Sequence, residues 1–442
     1  MAASPLDSAL YHKLFSHADT ATLFSDSAEL RAMLLVEGAL AKVQGAAGVI
    51  PEVSGAFIHR ASMELQVDPG GLADQVAVDG VPVPALVAAF RKAMEAPEHG
   101  QYVHWGATSQ DIADTGRALR LKRVIGIWDT QLRDAIRALG TLAHSHADLP
   151  MAGRTYHQAA TPISFGSYVA QWGRPLMAQL ARLDAVRDAT LRVSLSGAAG
   201  TNAALRGKGG DVRAGLAQAL GLADPGATWH TERDGLGTLA GWAATTAGVL
   251  AKMGGDIALM TQSGRGELRL GDSGGSSTMP QKRNPVLPLT MQTLGRQVQA
   301  QAAIIQSAIE HPEQRDGAAW FAEWFAVPPL CIALSRQIEI AGALAAQIQP
   351  SHDAMAQLID PDGLGLIYAE ALTFALAAQM PRPLAQQAVK DICAEAQQTG
   401  RSVVDIAAAR HADLDKSRFT PAAQMGDAPA QARAFADAAR QV

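Results

Sequence analysis

The stretch GDSGGSSTMPQKRNP fills positions Gly271–Pro285. It contains three glycines and four hydroxyl side chains, then Lys282, Arg283 and Asn284. The sequence on either side has helical spacing of its apolar residues, so a loop of this composition is more than a connector. Glycine supplies mobility, and hydroxyls followed by cations and an amide suit an anion. Such a loop can close over a charged ligand and exclude water, which strengthens each contact. It is not a phosphate-binding P-loop, because GxxxxGK[ST] is absent. The plain alternative is a surface loop with a solvated Lys-Arg pair.

Outward from the loop, helices dominate. Val249, Met253, Ile257 and Met260 repeat at helical spacing upstream, and VPPLCIALSRQIEIAGALAAQI does so downstream. From about Thr115 the segment TGRALRLKRVIGIWDTQLRDAIRALGTLAHSHADLP predicts a helix far longer than the globular mean. Nearer the start, SDSAELRAMLLVEGALAKVQGAAGVIP has Asp26 and Glu29 at capping-box spacing and Leu30, Met33 and Leu34 on one face; Gly48 and Pro51 end it. A shorter helix is expected from about Ala85 to Met94. No alternation is sustained enough to build a sheet, although a small hairpin escapes this kind of reading. IDPDGLG at 359–365 is a strong break. The expectation is an all-α chain in three parts: a helical N-terminal domain (1–112), a long-helix central bundle (113–358) and a helical C-terminal domain (359–442).

Composition narrows the function classes. Of 442 residues, 48% are hydrophobic and 18% charged, which fits a folded chain. Aromatics are only 5%, so the core rests on smaller side chains that let helices approach closely. A net charge of −5 and no Lys/Arg block argue against a nucleic-acid partner. The opening MAASPLDSALYHKLF lacks the pattern of a signal peptide, and no uncharged apolar run approaches the roughly 18 residues of a membrane span. Cys331 and Cys393 lie in apolar helical sequence outside any CxxC, so both are expected to be buried thiols in a reducing cytoplasm.

Two further segments could carry chemistry. HWGATSQDIADTG (104–116) presents His104, Thr108 and Ser109 in a small-residue turn before a helix, where free N–H groups favour a carboxylate or phosphate. GRTYHQAATPISFG (153–166) packs Arg154, Thr155, His157 and Gln158 into five positions. TWHTERD (228–234) and EHPEQRDGAAWFAEW (310–324) also cluster charges with Trp, and taken alone each reads as a capped helix or solvated turn. His144 and His146 face different sides of a helix, so no metal site is expected there.

Taken together, GATSQDIADT, GRTYHQAATP and GGSSTMPQKRNP, in that order in a helical chain, resemble the fumarase/aspartase superfamily, whose signature loop is GSSxMPxKxNP. The likeness covers essentially the whole chain. Within the superfamily it looks most like the bacterial 3-carboxy-cis,cis-muconate cycloisomerase family. That resemblance implies a homotetramer with a twenty-helix core, and active sites each built from three segments of three subunits. It places the catalytic serine at Ser276, with Ser277 beside it as a substrate-binding residue. Lys282 and Asn284 fall on carboxylate binders, Thr108 and Ser109 on the first segment's anion contacts, and Thr155 and Gln158 on the second segment's Thr and Gln. His104 and Arg154 are further substrate-binding candidates. Most lyases of the superfamily read Thr-His after the Gly-x-Thr turn. Here that position is Tyr156, and the histidine is His157, a substrate contact, a catalytic acid/base group or a structural hydrogen-bonder.

The reaction so implied is an intramolecular addition of a carboxylate across a C=C to form 4-carboxymuconolactone, in protocatechuate (β-ketoadipate) catabolism. A carboxylate is already ionised at neutral pH, so no base is needed to make the nucleophile. Ser276 would protonate the α-carbon, while Lys282 and Asn284 stabilise the developing charge. Neither a metal nor an organic cofactor is called for. The partners are a small polycarboxylate and further copies of the chain, with no nucleic acid and no membrane. The alternatives are another lyase of the superfamily, of the adenylosuccinate-cleaving, succinate- or fumarate-releasing kind, and an inactive helical scaffold.

Overall fold

The computed structural model describes residues 4–271, 274–275 and 278–442. It is all-α in class, with helices carrying nearly all regular structure and three short two-stranded ladders. The chain divides into two compact units. One comprises the residues up to Gln131, Gln179–Gly248 and Thr293–Ile338; the other comprises Leu132–Ala178, Val249–Gln292 and Glu339–Val442. The division falls inside five helices, Ser109–Ser145, Phe165–Ala181, Asp234–Met260, Val286–Ser307 and Gly317–Gln347.

In the first unit the Asp26–Ala46 helix packs on Glu52–Glu64. Small residues set their separation: a Cβ on Gly38 would lie 1.8 Å from Ser62 Oγ, and one on Gly55 2.5 Å from the Ala41 carbonyl. Met33, Leu34, Leu40, Ile58, Leu86 and Phe90 form the buried face. The cap of the first of these helices differs from the capping-box expectation. Ser25, one residue earlier, accepts the Ala28 N–H at 3.3 Å, while Asp26 and Glu29 lie in the first turn facing the helix dipole. The helix expected at 85–94 is found at Val83–Ala93. The long helix expected from Thr115 begins at Ser109.

The second unit contains an element that periodicity did not announce, an antiparallel hairpin of Pro150–Thr155 and Gln158–Ser164. The register shifts between Ala152 and Arg154, where Gly153 opposes two residues of the bulged second strand, Ala160 and Thr161; a Cβ on Gly153 would come within 2.6 Å of the Thr161 carbonyl. The final helix, Ala428–Arg440, lays Phe435 directly on Gly173. A separate apolar cluster built on Leu372, Ile392, Val403 and Ile406 holds the C-terminal helices.

Among the described residues, the Gly317–Gln347 helix is apolar and long enough to cross a membrane, but half of its most apolar window is buried. It also carries buried Glu323 among ion pairs, so it reads as a core helix. Cys331 is fully buried, as expected; Cys393 is only partly so, and both are free thiols.

Two glycines give opposite expectations. A Cβ on Gly166 would meet the Ala143 carbonyl at 2.3 Å and Ala147 Cα at 2.8 Å, all backbone. Gly166→Ala should therefore lower stability by about 1–3 kcal/mol in urea unfolding. Gly126, mid-helix, has nothing within 4 Å, and Gly126→Ala should raise stability by about 0.5–1 kcal/mol. Equal effects of the two would contradict this packing.

Candidate active site

The first site segment is a turn running into a helix. His104 and Gly106 both take left-handed backbone angles, φ 63° and 72°. Thr108 precedes the helix that begins at Ser109, and Asp111 reaches back to accept the Thr108 N–H at 3.0 Å. Asp111 thus performs the helix cap, which leaves the Thr108 hydroxyl for other work. Arg315 Nη2 donates to that hydroxyl at 3.0 Å, and Arg315 Nε donates to Gln110 Oε1 at 2.9 Å. A guanidinium, a hydroxyl and a helix start therefore meet at one point, a set of donors suited to a carboxylate.

Asp111 itself is fully buried and accepts from Ser194 Oγ, the Ser196 and Gly197 N–H groups and His230 Nε2, all at 2.8–3.0 Å. A carboxylate so fully used is a structural tie, joining the helix start to the 194–197 loop and the 228–234 segment. His104 Nδ1 donates to Glu37 Oε1 at 2.7 Å. Burial alone would lower the His104 pKa, but the hydrogen bond and charge of Glu37, with Asp111 further off, more than offset it and raise the value.

One turn further along the helix lies a buried ionic quartet. Arg117 donates to Asp114 and Glu323, each at 2.7 Å. Arg233 donates to Asp114 at 2.7 Å and grips both oxygens of Glu323 at 2.6 and 2.7 Å. Trp320 Nε1 adds a hydrogen bond to Asp114 at 3.1 Å. Of the two readings of 228–234 and 310–324, capped helix or solvated turn, the solvated one is corrected: His230, Arg233, Trp320 and Glu323 are all buried, while Asp316 does cap a helix start by accepting the Ala319 N–H at 2.6 Å. These charges tolerate burial because two cations face two anions across hydrogen bonds. Burial alone would raise the carboxyl pKa values of Asp114 and Glu323, but the two guanidiniums hold both below the usual carboxylate range.

In the second unit the other two segments are presented differently. The hairpin turn consists of Tyr156 and His157, with φ 49° and 63°. This sign pattern belongs to a two-residue turn that normally selects Asn-Gly, so the two bulky residues sit there at a cost in backbone strain. Tyr156 is 99% exposed, and Thr155, His157 and Gln158 are exposed with it. Arg154, below the tip, is anchored: its Nη1 donates to Glu267 at 2.9 Å, and Glu267, wholly buried, also takes Arg265 at 2.6 Å.

In the 271–285 loop, Gly274 pairs with Asn284 and Gly275 with Arg283. The base of the loop is thereby closed as a ladder, with Lys282 exposed and Asn284 half-buried beside it. The serine pair expected to act, Ser276 and Ser277, lies outside the described residues.

The sequence profile of the lyase family matches residues 20–300. The chain belongs to this lyase family, within the fumarase/aspartase superfamily. The 3-carboxy-cis,cis-muconate cycloisomerase of Pseudomonas aeruginosa is 35% identical over 89% of this chain and 87% of its own length. N-acetyl-S-(2-succino)cysteine lyase of Enterococcus italicus is 28% identical over 92% of this chain and 89% of its own. The crystal structure of 3-carboxy-cis,cis-muconate lactonizing enzyme from Pseudomonas putida superposes with a TM-score of 0.91 at 31% identity, covering 98% of this chain and 99% of that one.

The residues around the candidate site that the sequence does not single out are Arg315, Glu37 and Glu267. Arg315 was in view inside EHPEQRDG but had no visible partner. Glu37 carried a signal, a single carboxylate inside the apolar run AMLLVEGAL.

The quartet predicts an acid-sensitive fold. Because the folded carboxyl pKa values lie below the unfolded ones near about 4, the stabilisation is present above that pH and is lost as pH falls toward the folded values. Glu323→Gln should cost about 3–5 kcal/mol at neutral pH by chemical denaturation. Its deficit against the wild type should shrink below about pH 4. A deficit that is unchanged in acid would contradict the ionic account.

Proposed function

We propose that this chain is a 3-carboxy-cis,cis-muconate cycloisomerase of β-ketoadipate catabolism. The supporting observation is the similarity over nearly the full length of both chains, 35% in sequence and 0.91 in TM-score, to proteins bearing that activity in their names. The departure at Tyr156 agrees with it. A carboxylate arrives already ionised, so the reaction lacks the step for which a base after Gly-x-Thr would be needed.

In the proposed mechanism one substrate carboxylate oxygen forms a C–O bond to an alkene carbon. The electron pair moves to the carbon next to a second carboxylate and is held there as the aci-carboxylate by Lys282, Asn284 and loop N–H groups. Ser276 then gives its proton to that carbon, completing the lactone. Thr108, Ser109 and His104 hold a carboxylate in the first segment. Arg154, Thr155 and Gln158 contact the substrate from the hairpin, with His157 beside them.

The same proposal includes a cytoplasmic homotetramer whose sites combine the three segments from different subunits, and the three-domain division at 112 and 358. Exposed apolar residues along the long helices support assembly. Leu259, Leu289, Ile304, Phe321 and Phe325 are 37–79% exposed in the single chain, apolar area that packing against further copies would cover.

Purified protein mixed with 3-carboxy-cis,cis-muconate should abolish the conjugated-diene absorbance, and Ser276→Ala should slow this by about 100-fold or more. Cleavage of a succinyl thioether or of adenylosuccinate, with the muconate untouched, would move the chain to the succinate-releasing lyases. A near-normal rate in Ser276→Ala would remove the serine from its role.

A further inference from the structure

The helix Asp26–Ala46 sends two buried polar side chains under the 104–106 turn. Glu37, 1% exposed, accepts from His104 Nδ1 at 2.7 Å. Two turns on and on the same face, Gln44, 0% exposed, donates to the Trp105 carbonyl at 2.6 Å. On either side of Trp105 the backbone takes left-handed angles, at His104 and Gly106. A non-glycine residue holds such a conformation only where its surroundings impose it.

Glu37 is unusual for a buried carboxylate. Its Oε2 has no hydrogen-bond partner, and His104 is the one ion partner it has among the described residues. A carboxylate taken out of water with one contact is tolerated when that contact carries the opposite charge. The other charges acting on the His104 ring are Asp111, which favours the imidazolium, and Arg91, which opposes it. Arg91 is turned toward backbone, donating to the Gly100 and Val103 carbonyls at 3.1 and 2.9 Å. With Nδ1 committed to Glu37 and the ring 21% exposed, Nε2–H is the donor left for a ligand.

We propose that Glu37 is a positioning residue: it turns His104 so that Nε2–H projects toward a substrate carboxylate, and it supplies the counter-charge that keeps the ring cationic there. Gln44 holds the turn beneath it. The placement is built into the fold before the ligand arrives, as a carboxylate orients a histidine that binds through its other nitrogen. The proposal rests on the reading of His104 as a substrate-binding residue of a muconate cycloisomerase.

The test uses the intact enzyme, with the muconate as probe and a second readout free of activity. Glu37→Gln keeps the shape but removes the charge, so His104 should lose its proton at lower pH. kcat/KM should fall about 10-fold at pH 8, carried by KM, and by less than about threefold at pH 6. In a His104→Gln background, Glu37→Gln should add less than about twofold. In the wild type, the ring-proton NMR resonance that disappears in His104→Gln should titrate above the ordinary 6.5, and below the wild-type value in Glu37→Gln. An equal loss at both pH values, an additive double variant, or a wild-type resonance titrating at or below 6.5 would each overturn the proposal. So would an unchanged KM in His104→Gln. Failure of the wild type to turn over the muconate would instead sink the functional reading, and the NMR titration would still decide the Glu37–His104 pair.

Discussion

Two guanidiniums and two carboxylates, Arg117, Arg233, Asp114 and Glu323, share a space almost closed to water. None of the four could be there alone. Desolvating one charge costs several kcal/mol, and the mutual hydrogen bonds recover that cost only in good geometry. The constraint therefore fixes where three chain segments begin. Asp114 and Arg117 lie in the first turns of the Ser109–Ser145 helix, Arg233 immediately precedes Asp234–Met260, and Glu323 lies in the second turn of Gly317–Gln347. Apolar contacts permit sliding of one helix along another; this quartet does not.

The candidate site draws its precision from that lock. Thr108 lies just upstream of Asp114, and Arg315 just upstream of Glu323, so the pairing that sets the helices also brings Arg315 to the Thr108 hydroxyl. Asp111 secures the same turn from behind through five donors. Groups on short tethers next to a rigid tie lose little freedom on binding, which is how a site keeps its geometry without direct support from a ligand.

Much of this was legible in the sequence. The long helices were, because apolar spacing repeats over many turns. The loop at 271–285 was, because its composition clashes with what surrounds it. The hairpin was not: GRTYHQAATPIS lacks alternation, and its turn uses Tyr156-His157 where Asn-Gly would have advertised itself. The quartet was not either, since Arg233 and Glu323 are far apart along the chain and only the fold shows that their charges cancel. Buried charge reads in sequence as exposed charge. Glu37 is the intermediate case, visible as an oddity in an apolar run yet without a partner until His104 folds over it.

These arrangements divide the work of the proposed reaction in a particular way. The carboxylate-holding groups of the first segment hang from fixed helix ends, and Arg154 is braced by Glu267 and Arg265. The proposed proton donor belongs to a loop whose base is laddered. An intramolecular addition brings its own nucleophile, so what remains to be supplied is alignment of a flexible, highly charged diene and one timely proton. Alignment calls for stiffness, because a small displacement of the reacting atoms is expensive in rate. The proton calls for a group that arrives after the ligand and takes water's place. In the proposed reaction the braced groups would serve the first demand and the glycine-rich loop the second. A lyase that releases a heteroatom would also need a group to manage that atom's proton at the position after Gly-x-Thr, where this chain presents the exposed ring of Tyr156.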